Sequence, residues 1–330
     1  MRTPVSVSPA ADTGPPDNPG RAAALMVFAL FLLGFQDSLV KLTSSEISLW
    51  QMQTIRATGN LTLLILISFV LFRTAVPKPQ RLWAVILRSL LLVGTMVLFF
   101  GGVPVLSLSE IAAGLYVFPL FVAVLSVIIL GERIGPRRGL AIAAGFCGTV
   151  LILKPGTDGF KWVSLLPVCA GFCYALMVMT TRKLCRNEHP VTLAFGVGIA
   201  FISVGIIGLA VITAAPPSPD LAAAWPYLLT GWRPLEWWVL GVVVATSFIN
   251  LTANVSLSRA YQTAESSWLA PFDYSYLIFA TFWGYAMWGH VPDILSFAGM
   301  GLIAGAGIYV AWREQQLAKR VAAQATPQGE

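Results

Sequence analysis

What most limits this chain is a succession of apolar runs, each close to twenty residues long and separated by short polar or Pro/Gly-containing breaks. A hydrocarbon core of about 30 Å takes about 20 helical residues to cross, and only helices or closed barrels satisfy the backbone inside it. The runs fall at approximately 22–43, 47–72, 82–103, 107–130, 137–153, 162–181, 191–213, 236–257, 264–288 and 294–311. With 57% hydrophobic and only 11% charged residues and a mean hydropathy of +0.76, they exclude a water-soluble domain and predict an all-α integral membrane protein.

Basic residues near span ends are retained on the cytoplasmic side, so their positions orient the bundle. With the N-terminus inside, fifteen lie in cytoplasmic segments and four outside, namely Lys41, Lys154, Lys161 and Arg233. Removing one span would scramble that ratio, which supports ten spans with both termini cytoplasmic in a cell (inner) membrane. The net charge of +6 is then explained by the bilayer, with no nucleic-acid partner required. Residues 1–21, rich in proline and lacking a signal-peptide pattern, read as a disordered cytoplasmic tail, and 313–330 as a second tail after a fraying helix.

An internal repeat links the fourth span to the ninth. EIAAGLYVFPLFVAVLSVIILGER, from Glu110, can be laid beside ESSWLAPFDYSYLIFATFWGYAMWGHVP, from Glu265. Each opens on an acid, carries a proline and a tyrosine early, ends on glycine plus a polar residue, and precedes a helix rich in small residues. Five spans per half is odd, so residues 22–154 and 161–312 form two five-helix repeats of inverted topology, with a site expected near the midplane between them.

The stretch LSLSEIAAGLYVFPLFVAVLSVIILGERIGPRRGLAIAAGFCGTVLILKPG resembles the first-half signature of the drug/metabolite transporter superfamily, EamA-type branch, and RAYQTAESSWLAPFDYSYLIFATFWGYAMWGHVP is similar to its second-half counterpart. The resemblance extends over residues 22 to 312, with Gly131-Glu132-Arg133 and Ala270-Pro271-Phe272-Asp273-Tyr274 as its more specific pieces. His290 departs from it, standing where the second half usually has another acid. The resemblance implies ten helices in two inverted repeats and transport of a small organic solute by a monomer or homodimer.

The polar residues within spans carry their own message, since a charge at the bilayer centre costs roughly 2.5–3.5 kcal/mol on the gentler scales. Trp50, Gln53, Arg56 and Asn60 line one face of the second span. Arg56 lies about nine residues in, roughly 13 Å deep, and Asp37 on the first span reaches a comparable depth. Ser247, Asn250 and Asn254 form a second stripe, and Asp273 with Tyr276 a third. Asp37 and Arg56 offer either an ion pair or partners for the amine and carboxylate of a solute. Asn250 and Asn254 read as solute contacts or interhelical hydrogen bonds. Tyr116, Tyr174, Trp268 and Tyr276 read as packing residues or as a stacking surface for a flat or cationic solute. Lys41 reads as an interface anchor reaching outward, and Gly301 with Gly305 as a close helix contact.

No cofactor or metal is expected: Ser38-x-x-Lys41 lacks its hydrolase partners, His189 and His290 are far apart in sequence, and the four cysteines read as packing thiols. The expected function is a secondary transporter in the lipid bilayer that works by alternating access. Its solute is a small organic metabolite, amino-acid-like and exported by preference, with proton coupling through Asp273, Glu110 or Asp37 open. The alternatives are an uptake carrier for a vitamin or nucleoside-like compound, a channel, and an intramembrane enzyme acting on a lipid-linked substrate.

Overall fold

The computed structural model describes residues 19–66, 77–131, 136–155, 161–263 and 266–325, and all regular structure among them is helical. The helices α1 (Pro19–Thr43), α2 (Leu49–Leu66) and α3 (Leu82–Gly101) lead to a broken helix, α4 (Leu108–Leu115) and α5 (Phe118–Leu130), and then to α6 (Pro136–Leu153). A 3-10 turn at Trp162–Ser164 opens α7 (Leu165–Leu184), followed by α8 (Pro190–Ala214). Two short helices, α9 (Pro219–Ala224) and α10 (Pro226–Leu229), occupy the connection to α11 (Trp237–Thr263). A second broken helix, α12 (Ser266–Asp273) and α13 (Ser275–Trp288), precedes α14 (Ile294–Ala325), which outruns the expected last span.

Among the described residues, seven segments are long and apolar enough to cross a membrane: 20–43, 82–101, 108–129, 162–184, 190–214, 237–261 and 294–313. The other three expected spans differ for physical reasons. Gln51, Gln53, Thr54, Arg56 and Asn60 dilute the apolar character of α2, the apolar part of α6 shortens to Gly139–Leu153, and α12 and α13 are split at Tyr274. Large aliphatic side chains such as Ile128, Leu140, Ile199, Ile207, Val211 and Ile278 face outward, as a lipid-facing surface requires.

The two broken helices share their construction. Pro119 is the second residue of α5 and has no N–H to extend the hydrogen-bond ladder of α4, while Pro271 sits near the end of α12. Both second segments then end on a left-handed glycine, Gly131 with φ +70° and Gly289 with φ +64°, a conformation that a Cβ disfavours. Ser107 and Glu110 close a capping box at the start of α4, where the Glu110 carboxylate accepts from the Ser107 N–H and hydroxyl, each at 2.8 Å. The α14 start is held by Asp293, which accepts from the Ser296 N–H at 3.1 Å and pairs with Lys154 at 2.5 Å. Those two partners hold its carboxyl at about 2, below the usual carboxylate range.

The helices pack α1 against α11, α3 against α7, α2 against α8, and α6 against α14. The last pair meets at Gly148 and Gly299: a Cβ on Gly148 would lie 2.7 Å from the Gly299 carbonyl, and the reverse gives 2.6 Å. Gly301 and Gly305, expected to make a close helix contact, face open space instead, and the contact is made two residues before Gly301, at Gly299. The buried core includes Met26, Phe100, Ile111, Leu120, Leu269 and Ile303, drawn from both halves of the sequence.

Candidate functional site

At the centre of the bundle, α1, α2, α4, α12 and α13 bring buried polar side chains together. Asp37 on α1 is 7% exposed, and one carboxylate oxygen accepts from the Tyr276 hydroxyl on α13 while the other accepts from Gln36 Nε2 at 3.3 Å. Arg56 on α2 is 6% exposed, donates to Gln53 Oε1 at 2.7 Å one helical turn away, and lies 4.9 Å from the centre of the Phe100 ring. That contact is a cation–π arrangement, which holds a desolvated guanidinium without neutralising it. Asp37 and Arg56 are close enough to feel each other's charge, yet they form no ion pair. The direct pairing open from the sequence is thus replaced by two separate sets of partners, Tyr276 and Gln36 for the acid, Gln53 and Phe100 for the base.

Tyr276 stacks on Tyr116, ring centres 5.2 Å apart and 12° from parallel. Tyr116 caps α4 at the break in the first-half helix, within electrostatic reach of Asp273, which ends α12 at the second-half break. The buried Asp37, hydrogen-bonded to Tyr276, and the half-buried Asp273, near Tyr116, therefore flank one tyrosine stack. Tyr274 completes the group, 5.6 Å from Tyr116, and Tyr174 on α7 packs edge-on against Phe118 at 4.8 Å within electrostatic reach of Asp273.

The asparagine stripe meets α2 beside this centre. Ser247 Oγ donates to the Arg56 carbonyl at 3.3 Å, and Asn60 Nδ2 donates to Asn250 Oδ1 at 3.4 Å. Asn254, exposed, donates back to the Asn250 carbonyl at 2.8 Å. No group of three or more His, Cys, Asp or Glu suited to a metal occurs among the described residues, and the four cysteines are free.

Residues 20–154 match the EamA-like transporter family. A riboflavin transporter of Rhizobium johnstonii is 28% identical over 205 residues, 62% of each chain, and an S-adenosylmethionine uptake transporter of Rickettsia prowazekii is 25% identical over 239 residues, 72% of this chain and 75% of that one. The match to this family covers the first half of the chain, and the relatives named alongside it are transporters of small molecules. A pseudopaline exporter of Pseudomonas aeruginosa is 24% identical over 289 residues, 86% of this chain and 93% of that one. The match spans less than two thirds of the riboflavin transporter's own length, 62% of it. One solved crystal structure superposes with a TM-score of 0.55 over 88% of this chain and 96% of its own, at 16% identity, a likeness of fold alone.

Of the residues singled out in the sequence, Asp37, Gln53, Arg56, Tyr116, Asp273 and Tyr276 converge on this centre, with Tyr174 beside Asp273. Asn250 and Asn254 lie along the α2–α11 contact beside it, and the Trp268 side chain lies outside the described residues. Lys41 does not reach outward as an anchor. It turns into the protein, donating to the Leu106 carbonyl with its ammonium 5.4 Å from the Trp288 ring centre. Glu110, a candidate proton carrier, is occupied by the α4 cap. Sequence reading missed Tyr227 on α10, which is 3% exposed and lies beside Arg56 with a hydroxyl that has no hydrogen-bond partner among the described residues. One turn of helix in a polar connection offers no periodicity that would have marked it.

Proposed function

We propose that the protein is a secondary transporter that carries a small zwitterionic, amino-acid-like metabolite across the cytoplasmic membrane by alternating access, with export as the favoured direction. The observation that carries this reading is the separation of Asp37 from Arg56. Two buried opposite charges that feel each other and do not pair leave one position for an amine and one for a carboxylate. Leaving either charge uncompensated in a low-dielectric interior is costly, and a solute bearing both groups relieves both costs at once. The names of the relatives, an uptake transporter and an exporter among them, support a carrier over an enzyme and leave both directions represented.

Inverted five-helix repeats over 22–154 and 161–312, ten spans in all, are part of this reading. In their support, α1 packs on α11 as α3 packs on α7, α6 packs on α14, and the broken helices α4–α5 and α12–α13 end on glycines of the same conformation. Exchange of the two repeats maps each of these features onto its counterpart.

A second reading is favoured by one feature: the near-parallel Tyr116–Tyr276 stack offers flat aromatic surface of the kind a riboflavin-like ring system would engage, and the relatives include riboflavin transporters. Counterflow in proteoliposomes separates the two. Amino acids loaded inside are expected to stimulate uptake of labelled amino acids, and Arg56→Gln and Asp37→Asn to abolish it. Stimulation by riboflavin alone would replace the first reading with the second, and unchanged transport in both variants would end the assignment of those charges to the solute.

A further inference from the structure

The four basic residues on the cation-poor side of the bundle are not scattered. Lys154 is paired with Asp293, and the other three, Lys41, Lys161 and Arg233, converge on one cavity of about 720 Å³. Glu110 is the acid in its lining, and that carboxylate already accepts two hydrogen bonds from Ser107. Lys161 makes no hydrogen bond or ion pair among the described residues, while Arg233 and Lys41 donate to the carbonyls of Ser45 and Leu106, contacts that fix their position and leave their charge unneutralised. Three cations against one acid give a concave surface a net positive field, which low-dielectric walls focus into the opening.

The cavity also has a direction. Tyr227 lines it, is almost fully buried, has a hydroxyl with no hydrogen-bond partner among the described residues, and lies beside Arg56, the inner cation. A positive chamber is thus followed by an unused hydroxyl and then by a buried guanidinium.

We propose that this cavity is an antechamber that receives the anionic arm of a small organic solute, a carboxylate or a phosphate, and passes it across Tyr227 to Arg56. The hand-over to Arg56 rests on the transport reading above; the anion-receiving role of the cavity does not.

The test uses the full-length protein in phosphatidylcholine nanodiscs, which carry no anionic lipid and leave both faces accessible. Val105→Cys, at the exposed edge of the cavity, is labelled with a sulfonate-bearing and a trimethylammonium-bearing thiosulfonate of like size, each rate referred to a free thiol and the unsubstituted chain serving as blank. The sulfonate reagent is expected to lead by about tenfold, with the lead shrinking at high salt. Lys161→Gln combined with Arg233→Gln is expected to bring the two rates to parity. Ser45→Cys serves as a second reporter should Val105→Cys fold poorly. Acetate or L-glutamate slowing the sulfonate reagent assigns a carboxylate arm, inorganic phosphate alone slowing it assigns a phosphate arm, and choline is expected to do nothing.

Equal rates, or a lead that survives removal of both cations, would overturn the positive chamber. A lead that no anion reduces would overturn its receiving role. Because labelling reads no transport, these failures are distinct from failure of the Asp37–Arg56 assignment. Tyr227→Phe tests the hand-over: labelling is expected to stay and counterflow to fall, and unchanged counterflow would remove Tyr227 from the path.

Discussion

Tyr276 is the residue on which the centre turns, because it gives Asp37 its shorter hydrogen bond and gives Tyr116 its stacking face. A hydrogen bond to a charged group contributes about 1.5–3 kcal/mol, so Tyr276→Phe, which keeps the ring and removes the donor, should lower the apparent Tm of the detergent-solubilised protein. In a cycle with Asp37→Asn the two losses should be less than additive by about 1 kcal/mol or more, whereas full additivity would mean that the contact carries no energy of its own. Asp37, Arg56 and Asp273 were legible in the sequence, since an ionisable group deep in an apolar run needs a reason to be there. Their partners were not. Depth along a helix can be read from position, but the direction of a side chain depends on which neighbour arrives, as Lys41 shows by turning inward to Leu106 and Trp288.

At the scale of elements, the broken helices were visible in advance through Pro119 and Pro271, because a missing N–H is a local property that packing cannot restore. Helix contacts were less legible. The four-residue spacing of Gly301 and Gly305 marks a shared face without saying what lies opposite, and the structure sets Gly299 against Gly148 while those two face open space. The difference makes a sharp comparison. Gly299→Ala drives a methyl into the Gly148 carbonyl and the Ile152 side chain and should destabilise by about 1–3 kcal/mol, as overpacking does. Gly301→Ala should be neutral or stabilising by up to about 1 kcal/mol, because it adds helix propensity in free space. Thermal unfolding followed by tryptophan fluorescence would rank the two, and the reverse order would show the contact to be wrongly placed.

For the whole molecule, charge asymmetry gave an orientation that the arrangement of contacts can be tested against. Ser45 and Arg233 meet at one end, while Gln80 reaches the Asn187 carbonyl and Glu188 accepts from the Gln80 and Arg81 N–H groups at the other. On intact cells, an impermeant maleimide should therefore label Ser45→Cys directly and Asn187→Cys only after permeabilisation. The opposite result would invert the molecule. Which helices pair across the bundle could not be read from hydropathy, because every lipid-crossing run is apolar and the choice of neighbour rests on small residues and shape.

The glycine crossing of α6 and α14 bears on how such a bundle can move. With no side chains between the two backbones, sliding one helix along the other would bring Ile152 or Leu302 into the gap and force the pair apart. Rotation about the crossing meets no such obstacle. The seam is therefore built as a pivot pin, and any rearrangement that exposes Asp37 and Arg56 first to one side and then to the other has a fixed axis to swing around.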